Sequence, residues 1–219
     1  VEVDIDWAEP WIMQDATLDA YIFFHDQTLV YTPYAQLSDE DQLDFQKKID
    51  SWNMAQFLHG EQGALLVASQ LCSCAPTYNA KLYAATQAYD EARHVEAFNK
   101  YIQTRQRAIY PVTSELKDLL DKILTDERWD LKFIGMQIII EGLALGAFKT
   151  VVETHPDPLL RKMIEYIIKD ESRHVTFGVN YLEDYIKNLT QEEIEERAQF
   201  AYEACLIMRN RLFATVVYE

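Results

Sequence analysis

The string Asp90-Glu91-Ala92-Arg93-His94-Val95 recurs as Asp170-Glu171-Ser172-Arg173-His174-Val175, 80 residues further along the chain (171−91). A lone glutamate stands 30 residues before each copy, Glu61 before the first (91−61) and Glu141 before the second (171−141). The two lone glutamates are therefore also 80 residues apart (141−61). These matched offsets indicate an internal duplication of a pair of helices.

Each copy contains a Glu-x-x-His motif, whose two side chains project from one face of an α-helix because they are three residues apart. A carboxylate and an imidazole can thus be aimed at one metal ion. The lone glutamate lies on the preceding helix, and an antiparallel return would bring it opposite its motif at similar depth. Four carboxylates and two imidazoles are the ligand set of di-iron and di-manganese carboxylate bundles. The predicted metal ligands are Glu61, Glu91, His94, Glu141, Glu171 and His174.

The duplication decides between a metal site and an ordinary charged pair. A single Glu-x-x-His on a helix is common and is usually a solvated pair or a hydrogen-bonded core histidine. Here the motifs and their upstream acids stand in apolar surroundings, notably Ile138-Ile139-Ile140 before Glu141. Unpaired acids in a bundle core would be very costly. Two divalent ions would balance the four carboxylates, so we predict a metal centre.

The residues that flank the ligands can support them. Asp90 and Asp170 directly precede the motif glutamates, where each could accept a hydrogen bond from the free ring nitrogen of the histidine in the opposite copy. Carboxylates in this role fix the tautomer and the orientation of a ligand ring. Arg93 and Arg173 could in turn pair with these acids. Because both halves repeat the arrangement, a simple surface charge pair is the weaker interpretation.

The side chains one turn before the ligands indicate a possible pocket. They are Phe57, Gln87, Gln137 and Ile167, and small residues flank the lone glutamates. Such a cavity would be mostly apolar with two amides, which suits a hydrophobic or aromatic small molecule. Close packing of helices at the small residues is an equally good interpretation of the same pattern.

Composition and capping signals predict an all-α fold. Apolar residues make up 49% of the 219 residues, and only six Gly and six Pro interrupt them, which favours long elements over short strands. Ser38 is a suitable N-cap for the first long helix, and Thr190-x-x-Glu193 is a capping box that starts the last one. The predicted helices span about 38–74, 78–107, 114–125, 127–154, 157–188 and 190–219.

Helices of this length predict an up-and-down four-helix bundle in which segment 103–126 supplies one long crossover. We expect a single domain over residues 1–219. Its core bundle would lie at about 38–188, with an N-terminal arm at 1–37 and an extra C-terminal helix at about 190–219.

The charge and the cysteines exclude several classes of partner. A net charge of −16 would repel nucleic acid and anionic membrane surfaces. The three cysteines form neither an even disulfide framework nor a zinc pattern. No signal segment is visible, and no run of about 18 apolar residues could span a bilayer. We therefore expect a cytoplasmic protein with no nucleic acid and no membrane partner.

Two copies of Asp-Glu-x-Arg-His, with Gly60 before Glu61, resemble the ferritin-like di-iron carboxylate superfamily over roughly residues 50–185. This form of the motif is similar to that of the oxygen-activating branch, including bacterial multicomponent monooxygenase hydroxylase subunits and N-oxygenase-like proteins. The resemblance implies a ferritin-like bundle with two iron ions that react with dioxygen. It also implies an external electron donor, either a reductase or a ferredoxin.

Several departures narrow this resemblance. Ile167 stands where the aminobenzoate N-oxygenase group has an extra histidine ligand, and Phe98 stands where the radical subunit of class I ribonucleotide reductase usually has its tyrosine. Gly63 and Met136 replace the valine and tyrosine that related ligand-binding oxidases cross-link. Aldehyde-deformylating oxygenases share the spacing but lack the Asp-Glu-x-Arg-His form. The departures weigh against a radical generator and remove the best marker of N-oxygenation.

The sequence thus predicts a non-haem di-iron oxidoreductase. It would use dioxygen as co-substrate to hydroxylate, N-oxygenate or otherwise oxygenate a small apolar or aromatic substrate, and we expect a homodimer. One alternative is a ferritin-like iron-binding protein or ferroxidase. Another is a bundle that has lost its activity and only binds a partner, which the presence of all six ligands weakens. Manganese is an alternative to iron, because carboxylate and imidazole ligands suit both ions.

Overall fold

The computed structural model describes residues 5–7, 33–106 and 108–212 and confirms the all-α prediction for them. Most of the predicted arm and residues 213–219 of the predicted last helix lie outside the described residues. A short 3-10 helix, Pro33–Gln36, precedes the bundle. The six helices that pack as a bundle are α1 Asp39–Cys74, α2 Tyr78–Tyr101, α3 Ser114–Thr125, α4 Trp129–Thr154, α5 Pro158–Ile186 and α6 Gln191–Leu212.

Side chains that the sequence analysis predicted as N-caps lie at the starts of α1 and α6. Ser38 Oγ accepts a hydrogen bond from the Asp41 N–H at 3.2 Å, at the start of α1. At α6, Thr190 Oγ1 accepts from the Glu193 N–H at 3.3 Å, and Glu193 Oε2 accepts from the Thr190 N–H at 2.8 Å. Such caps satisfy N–H groups that have no partner inside the helix. The predicted capping box is therefore confirmed.

The interior of the bundle consists of two apolar layers. One contains Met54, Phe98 and Phe148, and the other contains Leu71 and Phe133. Helices α1, α2, α4 and α5 each contribute to both layers, and the predicted ligands lie between the layers on all four helices. Because each fully buried large apolar side chain contributes about 1.5–3 kcal/mol, the two layers fix the height at which the polar side chains sit.

Two further helices cover the second layer. Helix α3 belongs to the predicted crossover, and both α3 and α6 insert apolar side chains into this layer, including Leu119 and Phe200. Buried Lys132 on α4 donates from Nζ to the carbonyls of Ile123 at 2.9 Å and Leu124 at 3.3 Å. These two carbonyls lie in the last turn of α3 and have no N–H partner within the helix. The Lys132 ammonium therefore caps the C-terminal end of α3. Helix α1 packs along α2, and α4 packs along α5. That this arrangement is ferritin-like stays a prediction.

Helix α4 contains a wide turn immediately before Glu141. Phe133–Ile140 form a π-helix, and the Glu141 N–H donates to the carbonyl of Met136, five residues earlier. π-helical turns are rare and occur frequently at functional sites. The extra residue per turn rotates the second half of α4 relative to the first, and so sets the direction in which Glu141 leaves the helix. A second π-helical turn, Ile102–Gln106, follows α2.

Helix α4 is also long and apolar enough to cross a membrane by length and composition alone, which the sequence analysis did not expect. The polar residues Gln137 and Glu141 interrupt its apolar run, and this is why no continuous span was visible. Of its most apolar window, 61% is buried inside the fold. Most of this apolar window is thus packed against other helices, although Leu143 is exposed.

A glycine on α5 is required where this helix meets the π-helical part of α4. A Cβ atom at Gly178 would lie 2.8 Å from the Cβ of Gln137, whereas one at Gly142 would meet nothing within 4 Å. We expect Gly178→Ala to lower the free energy of unfolding by about 1–3 kcal/mol through overpacking. The control Gly142→Ala should be neutral or stabilising by up to about 1 kcal/mol, because Ala has the higher helix propensity. Denaturant unfolding measures both, and equal stability of the two variants would refute the close approach.

Candidate metal centre

The structure brings the six predicted ligands into one buried cluster. Each of them is between 0% and 6% exposed. The three-residue spacing of each Glu-x-x-His points both side chains into the bundle, and the antiparallel neighbour adds the lone glutamate at the same depth. The contributions are Glu61 from α1, Glu91 and His94 from α2, Glu141 from α4, and Glu171 and His174 from α5.

The ligand atoms form two overlapping groups, in each of which all atoms lie within 4.8 Å of one another. The first group is Glu61, Glu91, His94 and Glu171, and the second is Glu91, Glu141, Glu171 and His174. Glu91 and Glu171 therefore belong to both groups. Two adjacent cations need this arrangement, because each receives its own carboxylate and imidazole while two carboxylates are shared. The two groups could hold one metal ion each.

The Nδ1 atoms of both histidines face the carboxylates. His94 Nδ1 lies 3.2 Å from Glu61 Oε2 and 3.0 Å from Glu171 Oε1. His174 Nδ1 lies 3.2 Å from Glu91 Oε1. An imidazole that binds a metal ion must direct a nitrogen lone pair at it, and Nδ1 is the atom in position to do so in both rings.

The Nε2 atoms point away from the cluster to the two aspartates. His94 Nε2 lies 3.2 Å from Asp170 Oδ2, and His174 Nε2 lies 3.4 Å from Asp90 Oδ2. Each histidine thus reaches the aspartate of the opposite copy, as the sequence analysis predicted. A proton held between Nε2 and the carboxylate leaves Nδ1 free for a cation.

The two arginines close a ring of alternating charge over these contacts. Arg93 Nη2 donates to Asp90 at 3.0 Å and to Asp170 at 2.8 Å. Arg173 Nη2 lies 3.0 Å from Asp90 and 2.8 Å from Asp170. Burial alone would raise the pKa of Asp170, but the hydrogen bonds and charges of His94 and Arg173 lower this pKa to about 2. Asp170 is therefore ionised at neutral pH and can accept the His94 proton.

The carboxylates of the cluster differ in how they titrate. Burial raises the pKa of Glu61 and of Glu141 well above the usual value. Burial acts on Glu91 in the same direction, but hydrogen bonds from His174 and His94 outweigh it and lower the pKa of Glu91. The metal-free cluster thus takes up protons at Glu61 and Glu141, and cations that bind there would release them.

An unpartnered atom in the cluster fits a metal ion. Among the described residues, Glu141 Oε2 is buried and has no hydrogen-bond partner, whereas the polar neighbours of Glu171 Oε1 and His174 Nδ1 are other atoms of the cluster at 3.0–3.6 Å. Buried acceptors without a partner are costly and rare in native structures. Carboxylate oxygen and imidazole nitrogen together suit iron or manganese, so a metal ion would satisfy all three atoms.

The two glutamines predicted to border a pocket, Gln87 and Gln137, lie in the hydrogen-bond network of the cluster and are not among the residues that line the apolar cavity described below. Gln87 Nε2 donates to Glu141 Oε1 at 2.9 Å and to Glu91 Oε1 at 3.2 Å. Gln137 Nε2 donates to Gln87 Oε1 at 3.1 Å. Both amides are buried between α2 and α4. Gln87 orients the two glutamates directly, and Gln137 in turn holds the Gln87 amide.

An apolar cavity of about 370 Å³ opens on the cluster. Three of the glutamates reach its wall, and Phe57 lines it as predicted. A Cβ atom at Gly60 or Gly146 would meet nothing within 4 Å, so these glycines add free space. Gly63 instead packs against Leu120. The lining residues are Gln56, Phe57, Gly60, Glu61, Ala64, Leu116, Met136, Ile140, Glu141, Leu143, Ala144, Gly146, Ala147, Phe148, Glu171 and Met208.

Ile167 lies elsewhere than predicted, on the histidine side of the cluster. It lines a different cavity of about 340 Å³, together with His94, Asp170 and Trp7. The prediction treated the four positions before the ligands as equivalent. They are not, because Phe57 on α1 borders the apolar cavity, whereas Ile167 on α5 borders the cavity beside His94.

Sequence reasoning missed one aromatic residue near the predicted ligands, Phe177. The rings of Tyr83 and Phe177 are stacked at a centroid distance of 3.6 Å. Phe177 follows His174 by three residues and therefore shares its face of α5. The three-residue spacing from His174 could have identified Phe177 from the sequence.

Comparisons of the chain with protein-family models, curated proteins and solved structures find no match. What the site can do is therefore inferred from its residues and geometry.

The shared and unshared carboxylates should differ in their effect on metal binding. Wild-type protein should bind about two ferrous ions per chain, as di-iron carboxylate bundles do. Glu141→Ala should retain roughly one, because only the second group loses a ligand, whereas Glu91→Ala should lose both. The exposed Glu165→Ala on α5 is the control and should bind like wild type. Anaerobic titration with metal analysis measures the stoichiometry, and equal losses in the Glu141 and Glu91 variants would contradict the sharing.

Proposed function

We propose that the protein is a non-haem di-iron oxidoreductase that uses dioxygen to oxidise a small apolar or aromatic organic molecule. One observation carries this proposal, namely the position of an apolar cavity directly against a buried cluster of four carboxylates and two imidazoles. Iron storage would need the cluster but not an apolar cavity of about 370 Å³ beside it, a volume in the usual size range of small-molecule sites.

The six ligand residues would hold the two ions. Glu61 with His94 would bind one, Glu141 with His174 the other, and Glu91 and Glu171 would be shared. When bound, non-haem iron supplies the one-electron and dioxygen chemistry that amino-acid side chains lack. The chain itself supplies the positions of the donor atoms and the surroundings in which the chemistry takes place.

Residues around the ligands hold them in place and manage their protons. Asp90 and Asp170 accept the Nε2 protons of the histidines and so keep both Nδ1 atoms directed at the cluster. Gln87 holds Glu91 and Glu141 through one amide group. A carboxylate anchored through one oxygen keeps the other available, and in Glu141 that second oxygen is unpartnered.

The cavity would bind the substrate and keep water from the reacting atoms. Apart from the glutamates and Gln56, its wall is made of apolar side chains and glycine, including Phe57 and Phe148. A substrate in this cavity would be recognised by shape and apolar surface, because the wall offers few groups for hydrogen bonding. The carboxylates lie at one side of the cavity, so only the part of the substrate that reaches them would be oxidised.

Reaction with dioxygen requires electrons from outside the chain. We propose that a separate reductase or ferredoxin supplies them, as the resemblance implies. The homodimer, the cytoplasmic location and the lack of nucleic acid and membrane partners stay predictions of the sequence.

The reaction with dioxygen tests the proposal. Protein loaded anaerobically with ferrous iron should show a transient absorbance on rapid mixing with dioxygen, because adjacent ions can be oxidised together in the buried cluster. Glu141→Ala should bind less iron and show no such transient. Stopped-flow spectroscopy with parallel iron analysis measures both.

Two results would change the conclusion. If no stoichiometric iron binds, the metal centre itself is wrong. If iron is turned over continuously into a mineral, the chain is a ferroxidase and not an oxygenase.

The glycine in the cavity wall should set the size of the substrate. Gly146→Leu should leave iron binding and the reaction with dioxygen intact but shift oxidation towards smaller compounds in a panel of apolar and aromatic molecules, because the new side chain enters the cavity. Gly142→Leu places the same side chain one turn earlier on α4, outside the cavity lining, and should keep the wild-type preference. Product analysis by mass spectrometry compares them, and identical profiles for both variants would mean that the cavity does not bind substrate.

A further inference from the structure

A column of aromatic rings runs from the metal cluster to the surface. Tyr83 stacks on Phe177 with a centroid distance of 3.6 Å and an angle of 9° between the rings. Phe177 is 5.4 Å from Tyr181, and Tyr181 is 5.6 Å from Trp129. Trp129 is 4.6 Å from Tyr185. Each ring is therefore in contact with the next, although they come from α2, α4 and α5.

The inner end of the column adjoins the ligands. Phe177 lies one helical turn after His174 on α5, and Tyr83 lies one turn before Gln87, the residue that donates to two of the glutamates. The charges of His174 and Glu141 both act on the Tyr83 hydroxyl. Tyr83 thus lies within electrostatic reach of the cluster, and Phe177 stacks directly on its ring.

The outer end of the column lines a groove of about 480 Å³ at the surface. Trp129, Tyr181 and Tyr185 all contribute to this groove. Their rings are half-buried, so they are held by packing on one side and reach solvent on the other. The Tyr181 hydroxyl also exchanges a hydrogen bond of 2.7 Å with Thr77 Oγ1.

Packing alone does not explain why these five positions are aromatic. Aromatic pairs prefer offset or edge-to-face contacts to a face-to-face sandwich, yet Tyr83 and Phe177 overlap face to face. Leu or Ile would fill the same space without a hydroxyl or an indole N–H that needs a partner. Tyrosine and tryptophan are, however, the side chains that lose one electron most readily, and four of the five rings are of these two types.

We propose that this aromatic column delivers an electron to the metal cluster when dioxygen has oxidised the cluster and no substrate is bound. The electron leaves the ring of Trp129 or Tyr185, and the cluster is reduced by one electron. The oxidised ring loses its indole or phenol proton to water in the groove and becomes a neutral radical. This function rests on the proposed reaction of the centre with dioxygen, and it would protect the ligands from the oxidant they hold.

The radical should rest at the outer end of the column. Among the described residues, the Tyr83 hydroxyl is buried without a hydrogen-bond partner, and burial raises the pKa of Tyr83 to about 12. The Tyr83 hydroxyl therefore holds its proton more firmly than an exposed phenol does. Trp129 and Tyr185 border the groove, where water can accept the proton.

The test uses protein loaded with ferrous iron and mixed with excess dioxygen in the absence of substrate. Samples frozen at intervals are examined by electron paramagnetic resonance for an organic radical, while iron oxidation is followed optically. The double variant Trp129→Phe, Tyr185→Phe should lose most of the radical signal. Trp52→Phe on α1, outside the column, is the matched control and should keep it.

A second measurement needs no variant. Peptide mass spectrometry after repeated exposure to dioxygen should find oxidation at Trp129 and Tyr185 above that at Tyr202, although Tyr202 is 60% exposed. Metal-free protein treated in the same way should not show this order. Exposure alone would predict the opposite order in both samples.

The outcomes separate the two proposals. A radical that is lost in the double variant, or oxidation concentrated at the outer rings, supports the column. If dioxygen oxidises the iron but no radical forms, or if the double variant keeps the radical, the proposed electron transfer through the column is wrong and the proposed function stands. If bound iron does not react with dioxygen at all, the proposed function fails and the column fails with it.

Discussion

Four carboxylates and two imidazoles share one layer of the bundle, between two apolar layers that exclude water. Breaking a buried ion pair by removing one partner typically costs about 3–5 kcal/mol, so each charge in this layer needs a counterpart. Protons provide some of the compensation at Glu61 and Glu141, where burial raises the pKa. The aspartate and arginine ring outside the histidines provides more. Two bound cations would complete the balance of charge. The surrounding helices hold the ligand residues in this layer.

Two departures from regular helix geometry and packing lie next to this polar layer. A π-helical turn precedes Glu141, and Gly178 lets α5 approach α4 until no Cβ atom fits between them. Both features lie beside two buried glutamines. Gln137 donates a hydrogen bond to Gln87, and Gln87 donates to the Glu141 carboxylate. The π-helical turn ends at Glu141, and Gly178 faces Gln137. Both irregularities therefore lie beside the ligand network.

Much of this could be predicted because the chain repeats itself. The 80-residue offset (171−91) identified the ligands and the crossed aspartates, and caps such as Ser38 and Thr190 fixed helix starts to within about two residues. The π-helix could not be predicted, since Phe133–Ile140 is almost wholly apolar and has no period to reveal a change of turn. The glutamines were misplaced because spacing along one helix does not tell which neighbour a side chain meets.

The central claim is that two ions lie side by side and share Glu91 and Glu171. Anomalous diffraction from crystals of the iron-loaded protein tests it most directly. The account predicts two peaks about 3.5–4 Å apart, as in other two-metal sites, one beside Glu61 and His94 and the other beside Glu141 and His174. A single peak, or iron bound only at surface carboxylates with the six side chains contacting no metal, would contradict it.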